Sequence, residues 1–390
     1  MRTSGILMPI FSLPSKGGIG TLGKEAFRFV DFLKKSGQSW WQILPLNPTN
    51  YGDSPYQSFS SYAGNPYFID PELLIQEGLL TEEEFLSFDF GKDSSIIDYG
   101  KLYKNRINLL RIAFGRFKPE KTFYDFCREN DFWLDEYALF MALKNMHNDV
   151  SWECWEENFR TRNLETLNRI KSEKQDTIEF YKFVQYCFAK QWISLKNYAN
   201  ENGVGIIGDI PIYVAYDSAD VWSEPEQFQL DKELKPKAVA GCPPDAFSED
   251  GQLWGNPLYD WSFMKKDKFA WWKRRLGYAL KLYDMVRIDH FRGFEAYWAI
   301  PYGDETAKGG KWLKGPNMAL FNEIAKEFGD DLPIIAEDLG FLTDEVHELL
   351  KKSGFPGMKV LQFAFSGGSD SDYLPHNYNK NCVVYTEMLI

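Results

Sequence analysis

Residues 285–295 read M-V-R-I-D-H-F-R-G-F-E, and the structure of this run decides how the rest of the chain is arranged. Side chains alternate with period two along a strand, so Val286, Ile288 and His290 share one face and Arg287, Asp289 and Phe291 the other. An arginine and an aspartate therefore sit together at a strand end. A fixed cation favours the charged form of a neighbouring carboxyl group, and an ionised carboxylate can serve as a nucleophile. Arg-x-Asp alone reads more readily as a structural ion pair. The run I-I-A-E-D-L-G at 334–340 shifts that balance, because a second apolar strand there ends in another carboxylate, Glu337.

The chain has 390 residues, 44% of them hydrophobic, enough to bury a large core in one big domain or two ordinary ones. A net charge of -12 argues against a nucleic-acid partner, which calls for a basic patch, and suits a neutral or cationic substrate. Aromatic residues make up 17%, with 13 Trp, 21 Tyr and 31 Phe. Aromatic faces stack on the C–H faces of sugars, although most of these rings are accounted for as core. The five cysteines, Cys127, Cys154, Cys187, Cys242 and Cys382, are scattered and odd in number, so neither a disulfide framework nor a zinc site is indicated. The four histidines are too dispersed for a metal centre, and no glycine-rich phosphate loop occurs. The start of the chain lacks a signal-peptide core, and no run approaches the ~20 apolar residues of a membrane span. A cytoplasmic protein with no membrane partner is the expectation.

From the start, G-I-L-M-P-I-F at 5–11 reads as a buried strand, 25–36 as an amphipathic helix and Q-S-W-W-Q-I-L-P-L at 38–46 as a second strand. Strand, helix and strand in succession imply a parallel sheet. The stretch 51–67, dense in hydroxyls and aromatics, reads as a loop at a strand's carboxyl end, where sites form in such sheets. Helical patterns follow at 71–77, 81–88, 103–117, 121–129 and 133–146, and a long amphipathic helix spans 176–200. Residues 71–175 read as an inserted, mostly helical subdomain. V-G-I-I-G-D-I-P-I-Y-V at 204–214 is a third strand carrying Asp209, and 215–261 reads as a second, irregular insertion over the active-site face. Helices at 263–283, 317–328 and 343–353 then alternate with the Asp289 strand, the Glu337 strand and strands at 358–363 and 382–386.

Seven strands alternating with helices, with functional residues at successive strand ends, predict an α/β fold of the TIM-type (β/α)8 barrel kind, sites on the carboxyl face. Neighbouring strands lie ~4.8 Å apart. Two strand-end carboxyl groups facing one pocket can thus approach the ~5 to 5.5 Å of retaining glycosidases.

The motifs G-I-L-M-P-I-F-S-L-P-S, G-G-I-G-T-L-G, W-W-Q-I-L-P-L-N-P-T, Y-G-D-S-P-Y-Q-S-F-S, A-G-N-P-Y, G-D-I-P-I-Y-V, G-C-P-P-D-A-F-S, V-R-I-D-H-F-R-G-F and I-I-A-E-D-L-G run collinearly from about residue 5 to residue 340. In these the chain resembles the 4-α-glucanotransferases, the amylomaltase or disproportionating-enzyme family, with a barrel related to that of α-amylase. The resemblance implies Asp289 as nucleophile, Glu337 as general acid/base and Arg287 as the arginine beside the nucleophile. It implies Ser54, Tyr56, Asp245, Trp254 and His290 as substrate-binding residues, with Asp209 either substrate-binding or structural. Malto-oligosaccharides or other α-1,4-glucans are the implied partners, and no cofactor is implied. Glu337 would protonate the glycosidic oxygen while Asp289 attacks, then deprotonate an acceptor sugar hydroxyl.

The chain departs from the family where a Y-T-G-T-H-D type motif is expected. It reads Y-T-E-M-L-I at 385–390, so the third carboxylate is not matched. The S-G-G-S-D-S stretch at 366–371 also lacks an expected acidic residue. The expectation is one catalytic barrel domain over 1–390 that is incomplete at its C-terminus, its eighth β-α unit missing, whether by truncation, by frameshift or as a genuine short form, with little or no disproportionating activity of its own. Two other readings stand beside the transferase: a non-catalytic glucan-binding protein, and a hydrolase resembling α-amylase.

Overall fold

A computed structural model describes residues 2–50, 52–91, 93, 95–245, 248–366 and 368–387. Of the motifs quoted above, Tyr51, Ala246, Phe247, Gly367 and 388–390 lie outside the described residues. The chain divides into two compact units, Met1–Ile207 with Val214–Pro225, and Gly208–Tyr213 with Glu226–Ile390.

In the first unit, strands β1 (Gly5–Leu7) and β2 (Trp40–Gln42) pair in parallel, and β2 pairs in parallel with the start of β3 (Gly205–Pro211), Trp40 lying between Gly5 and Gly205. The connection from β1 to β2 is the helix Lys24–Lys35, which buries Ala26, Val30 and Leu33. That spacing is the apolar stripe a crossover helix needs. The strands are shorter than expected: Pro9 diverts the first into a 3-10 turn at Ile10–Ser12. Helices Pro71–Gln76, Glu82–Leu86, Tyr99–Arg116, Lys121–Glu129, Asp131–Met146 and Leu164–Glu173 lead to the 27-residue helix Gln175–Glu201. The last buries Phe180, Val184, Phe188, Trp192 and Leu195, so its aromatic stripe is core. It also holds the loop ahead of these helices, because Gln185 exchanges hydrogen bonds with the backbone of Gly64 (2.7 and 2.9 Å) and Gln191 with that of Asp70 (2.7 and 3.2 Å). Position 64 must be glycine, since a Cβ there would meet the Phe188 ring at 2.1 Å.

In the second unit, β3 continues beside β6 (Met285–Asp289), which pairs in parallel with β9 (Ile334–Ala336). Strands β10 (Gly357–Val360) and β11 (Cys382–Tyr385) form a parallel pair of their own. All seven expected parallel strands are present, and they establish the α/β class; closure of an eight-stranded barrel is not part of these ladders. Val286 and Ile288 are 0% and 1% exposed, which explains the near-continuous apolar reading of such strands.

The structure also differs from the sequence expectation in the 215–261 insertion, which contains β4 (Ala238–Cys242) and β5 (Gln252–Pro257); these join β7 (Ala296–Pro301) and β8 (Lys311–Lys314) in an antiparallel sheet of order β5-β4-β7-β8. The helix expected over 263–283 is two helices, Trp261–Lys266 and Ala270–Leu282, broken where Lys268 and Phe269 take left-handed φ values of 57° and 56°. Phe269 is 2% exposed, and the Asp267 carboxylate accepts from the Ala270 N–H at 3.2 Å, so burial and a local cap offset the strain of the break.

Candidate active site

The register of β6 against β9 sets the site. Ile288 lies opposite Ala336, so the next residues, Asp289 and Glu337, leave neighbouring parallel strands side by side. The two chain ends are laced together there, with Glu337 N–H donating to the Ile288 carbonyl and Phe291 N–H to the Glu337 carbonyl, both at 3.0 Å.

Arg287 and Asp289 share a face, as strand alternation requires. Arg287 Nη2 donates to Asp289 Oδ1 at 2.8 Å, Nη1 to Asp209 Oδ1 at 2.7 Å and Nε to Met358 Sδ at 3.4 Å. Each guanidinium nitrogen thus has an acceptor, from β3, β6 and β10. Asp209 is 1% exposed, and a carboxylate buried that deeply needs a paired cation. Asp289 keeps 31% of its side chain exposed. Its Oδ1 is oriented by Arg287, while among the described residues no hydrogen bond reaches its Oδ2.

Alternation stops at His290, which takes φ 54° and opens the 3-10 turn Phe291–Phe294. The expected shared face of Val286, Ile288 and His290 is therefore lost at its last member. The turn gives His290 N–H to Glu337 Oε2 at 2.7 Å, while Leu339 N–H serves Oε1 at 2.9 Å. Glu337 is clamped by main chain through both oxygens. Burial, and then the Asp289 charge, push its carboxyl group up to about 7, against the opposing pull of Arg287 and the two N–H groups. The His290 ring is pushed down to about 4 by burial, with Asp289 opposing and Arg292 reinforcing the shift, so it is neutral at pH 7. It meets the Trp254 ring edge-on, centroids 4.8 Å apart. Trp254, half-buried on β5, donates from Nε1 to Gln252 Oε1 at 3.0 Å.

Asp209, Trp254, Arg287, Asp289, His290 and Glu337 thus form one connected group in the second unit. Asp245 belongs to that unit as well but is exposed, and accepts from the Ser248 N–H at 2.8 Å. Ser54 and Tyr56 belong to the first unit, on a tight turn where Ser54 Oγ accepts from the Tyr56 N–H at 3.3 Å and Asn50 N–H donates to the Gln57 carbonyl at 2.9 Å. Sequence reasoning did not find the His290 and Leu339 N–H groups, the Met358 sulfur or Cys242. Cys242 is half-buried, and its thiol is pushed up to about 12 by burial and then by Glu337, Asp245 and Asp289, against Arg292. Main-chain donors carry no side-chain signal; only the left-handed turn at His290 marks the first of them.

Among the described residues no group of three or more His, Cys, Asp or Glu side chains stands in metal-binding geometry, and no helix is long and apolar enough to cross a membrane.

A family model described as 4-alpha-glucanotransferase matches residues 8–388. The 4-alpha-glucanotransferase of Clostridium butyricum is 54% identical over 382 residues, covering 97% of this chain and 78% of that protein. The Thermus thermophilus 4-alpha-glucanotransferase is 49% identical, with 99% and 77% covered. Among solved structures, amylomaltase from Streptococcus agalactiae in complex with acarbose superposes with a TM-score of 0.97 at 44% identity, covering 100% of this chain and 79% of that one. A chain matched this closely along nearly its whole length belongs to the 4-alpha-glucanotransferase family.

Proposed function

We propose that this chain transfers segments of α-1,4-glucan between malto-oligosaccharides by a retaining double displacement, with Asp289 as nucleophile and Glu337 as acid/base. The observation that carries the reading is the pairing of two carboxyl groups at adjacent strand ends under opposite influences. Asp289 faces Arg287, a cation fixed in place by Asp209 and Met358. Glu337 is buried beside a negative charge, which favours its acid form. Such a pair has an ionised and a protonated member at one pH, the division of labour that glycoside transfer needs.

In the first step Glu337 gives its proton to the glycosidic oxygen as Asp289 Oδ2 bonds to the anomeric carbon, and the leaving glucan departs with its new hydroxyl. Esterification removes the Asp289 charge, and with it one cause of the raised Glu337 titration. Arg287 and the two main-chain N–H groups then act on Glu337 against burial alone, which favours the carboxylate that the second step requires. It takes the proton of an acceptor hydroxyl as that oxygen displaces Asp289, restoring the α configuration. The Asp289–Arg287 contact is rebuilt at each turnover. In this reading, within the second unit, Trp254 offers an aromatic face to sugar, the neutral His290 ring supports that face, Asp245 is a further binding residue and Asp209 serves by holding Arg287; Ser54 and Tyr56 are glucan-binding residues of the first unit.

The glucan-binding and amylase-like alternatives are less favoured, given a family match over residues 8–388. Incubation with maltotriose, following glucose and longer maltodextrins together, tests the transfer reading. Glucose and longer products appearing in step support it and overturn the low activity expected from the Y-T-E-M-L-I departure at 385–390; glucose and maltose alone would indicate hydrolysis.

A further inference from the structure

Four residues beyond Glu337 the chain carries a ring that the mechanism above leaves unused. Phe341 is 66% exposed. A single exposed apolar side chain is ordinary, but this one is built into a group. Its ring lies within 22° of parallel to that of Trp312, centroids 6.5 Å apart, and Trp312 in turn packs edge-on against Trp298 at 5.2 Å. Arg292, only 4% exposed, lays its guanidinium 3.8 Å from the Trp312 ring centre and donates from Nη1 to the Phe341 carbonyl at 2.7 Å. One buried cation therefore holds both the ring beneath Phe341 and the backbone that presents Phe341.

The same segments hold the reacting carboxyl group. Arg292 follows His290 by two residues and Phe341 follows Leu339 by two, and His290 and Leu339 supply the two N–H groups on Glu337. At ~3.3 to 3.6 Å per residue, four residues place Phe341 no more than ~14 Å from Glu337, within reach of a short oligosaccharide. Glu337 addresses the oxygen of the departing glucan and later that of the acceptor. Sugars on its side are thus leaving-group and acceptor sugars.

We propose that Phe341, backed by Trp312 and Arg292, is an acceptor-side platform on which a glucose ring stacks, and that it governs how often the glycosyl enzyme is captured by a sugar hydroxyl rather than by water. The inference rests on the double-displacement reading. An aromatic face over a fixed cation binds the apolar side of a pyranose without dictating its hydroxyl pattern. It raises the local concentration of acceptor and displaces water where attack occurs.

The test compares Phe341→Ala, Phe341→Tyr and Phe341→Trp. With maltose as acceptor, Phe341→Ala raises the acceptor KM about tenfold, equivalent to about 1.4 kcal/mol, and increases the hydrolysed share of product. The loss falls on KM rather than on the rate at saturating acceptor, and Tyr and Trp restore binding. In an Asp289→Asn background, which prevents turnover, calorimetry with maltoheptaose shows a parallel loss of affinity for Phe341→Ala. An acceptor KM and affinity equal to those of the unaltered chain, or a loss that Tyr and Trp fail to restore, overturns the proposal. If the unaltered chain binds maltoheptaose but shows no glucan transfer, the double-displacement reading fails while the calorimetric comparison still decides the platform.

Discussion

Replacing Asp289 by Asn removes a negative charge from beside Glu337 and is predicted to lower the titration midpoint of that carboxyl group by about one to two pH units. Ile288 lies opposite Ala336 in the β6–β9 ladder, so the residues that follow are separated by roughly the ~4.8 Å between strands. Two unit charges ~5 Å apart at an effective dielectric constant of ~20 interact by about 3.3 kcal/mol, or ~2.4 pH units. That figure is a ceiling, because Arg287 already neutralises part of the Asp289 charge. Burial, the larger cause of the raised value of about 7, remains, so the midpoint stays above that of an ordinary glutamate. Carbon-13 NMR of labelled glutamate carboxyl groups, recorded through a pH titration, reads the midpoint without needing turnover. A Glu337 midpoint unchanged or raised by Asp289→Asn would refute both the proximity and the charge cycle proposed for the two catalytic steps.

Other consequences follow from the same contacts. Folded Glu337 keeps its proton to about pH 7, whereas an unfolded glutamate loses it near ~4.3. Its contribution to stability is therefore full below ~4.3 and falls as pH rises through that window. Urea denaturation of Glu337→Gln should lack this slope, and an identical slope would assign it to other groups. Arg287→Met strands Asp209, 1% exposed, without its cation and should cost ~3 to 5 kcal/mol. Adding Asp209→Asn should recover part of that loss, which a double-mutant denaturation cycle measures. Trp254→Ala should weaken glucan binding by ~0.5 to 1.5 kcal/mol, read by calorimetry in the Asp289→Asn background; unchanged affinity would remove Trp254 from the groove.

The parallel strands were readable because each is a short apolar run between turn formers, and the central ones, β3, β6, β9 and β10, are buried on both faces. The antiparallel sheet was not. β4 is A-V-A-G-C and β8 K-W-L-K, too short for a periodic signal, and β5 contains a glycine and an asparagine that read as loop. The helix break at Phe269 was hidden because apolar spacing continues through it; the pull of a buried ring and the Asp267 cap became visible only in three dimensions. At the site, Arg287 and Asp289 followed directly from strand alternation. The grip on Glu337 did not, since its donors are the main-chain N–H groups of His290 and Leu339, whose positions depend on backbone conformation rather than residue type. Phe341 escaped for a related reason: its setting depends on Trp312, from an unforeseen strand.

The central claim is that a sugar becomes covalently attached to Asp289. Fluoride departs without general-acid help, so Glu337→Gln given α-maltotriosyl fluoride should complete the first step and stall before the second, which lacks its base. Proteolysis and mass spectrometry then locate the sugar. One maltotriosyl group on the carboxylate of Asp289, absent in Glu337→Gln/Asp289→Asn, is the predicted result. No adduct, together with products of inverted anomeric configuration from the unaltered chain, or an adduct on Asp209 instead, would contradict it.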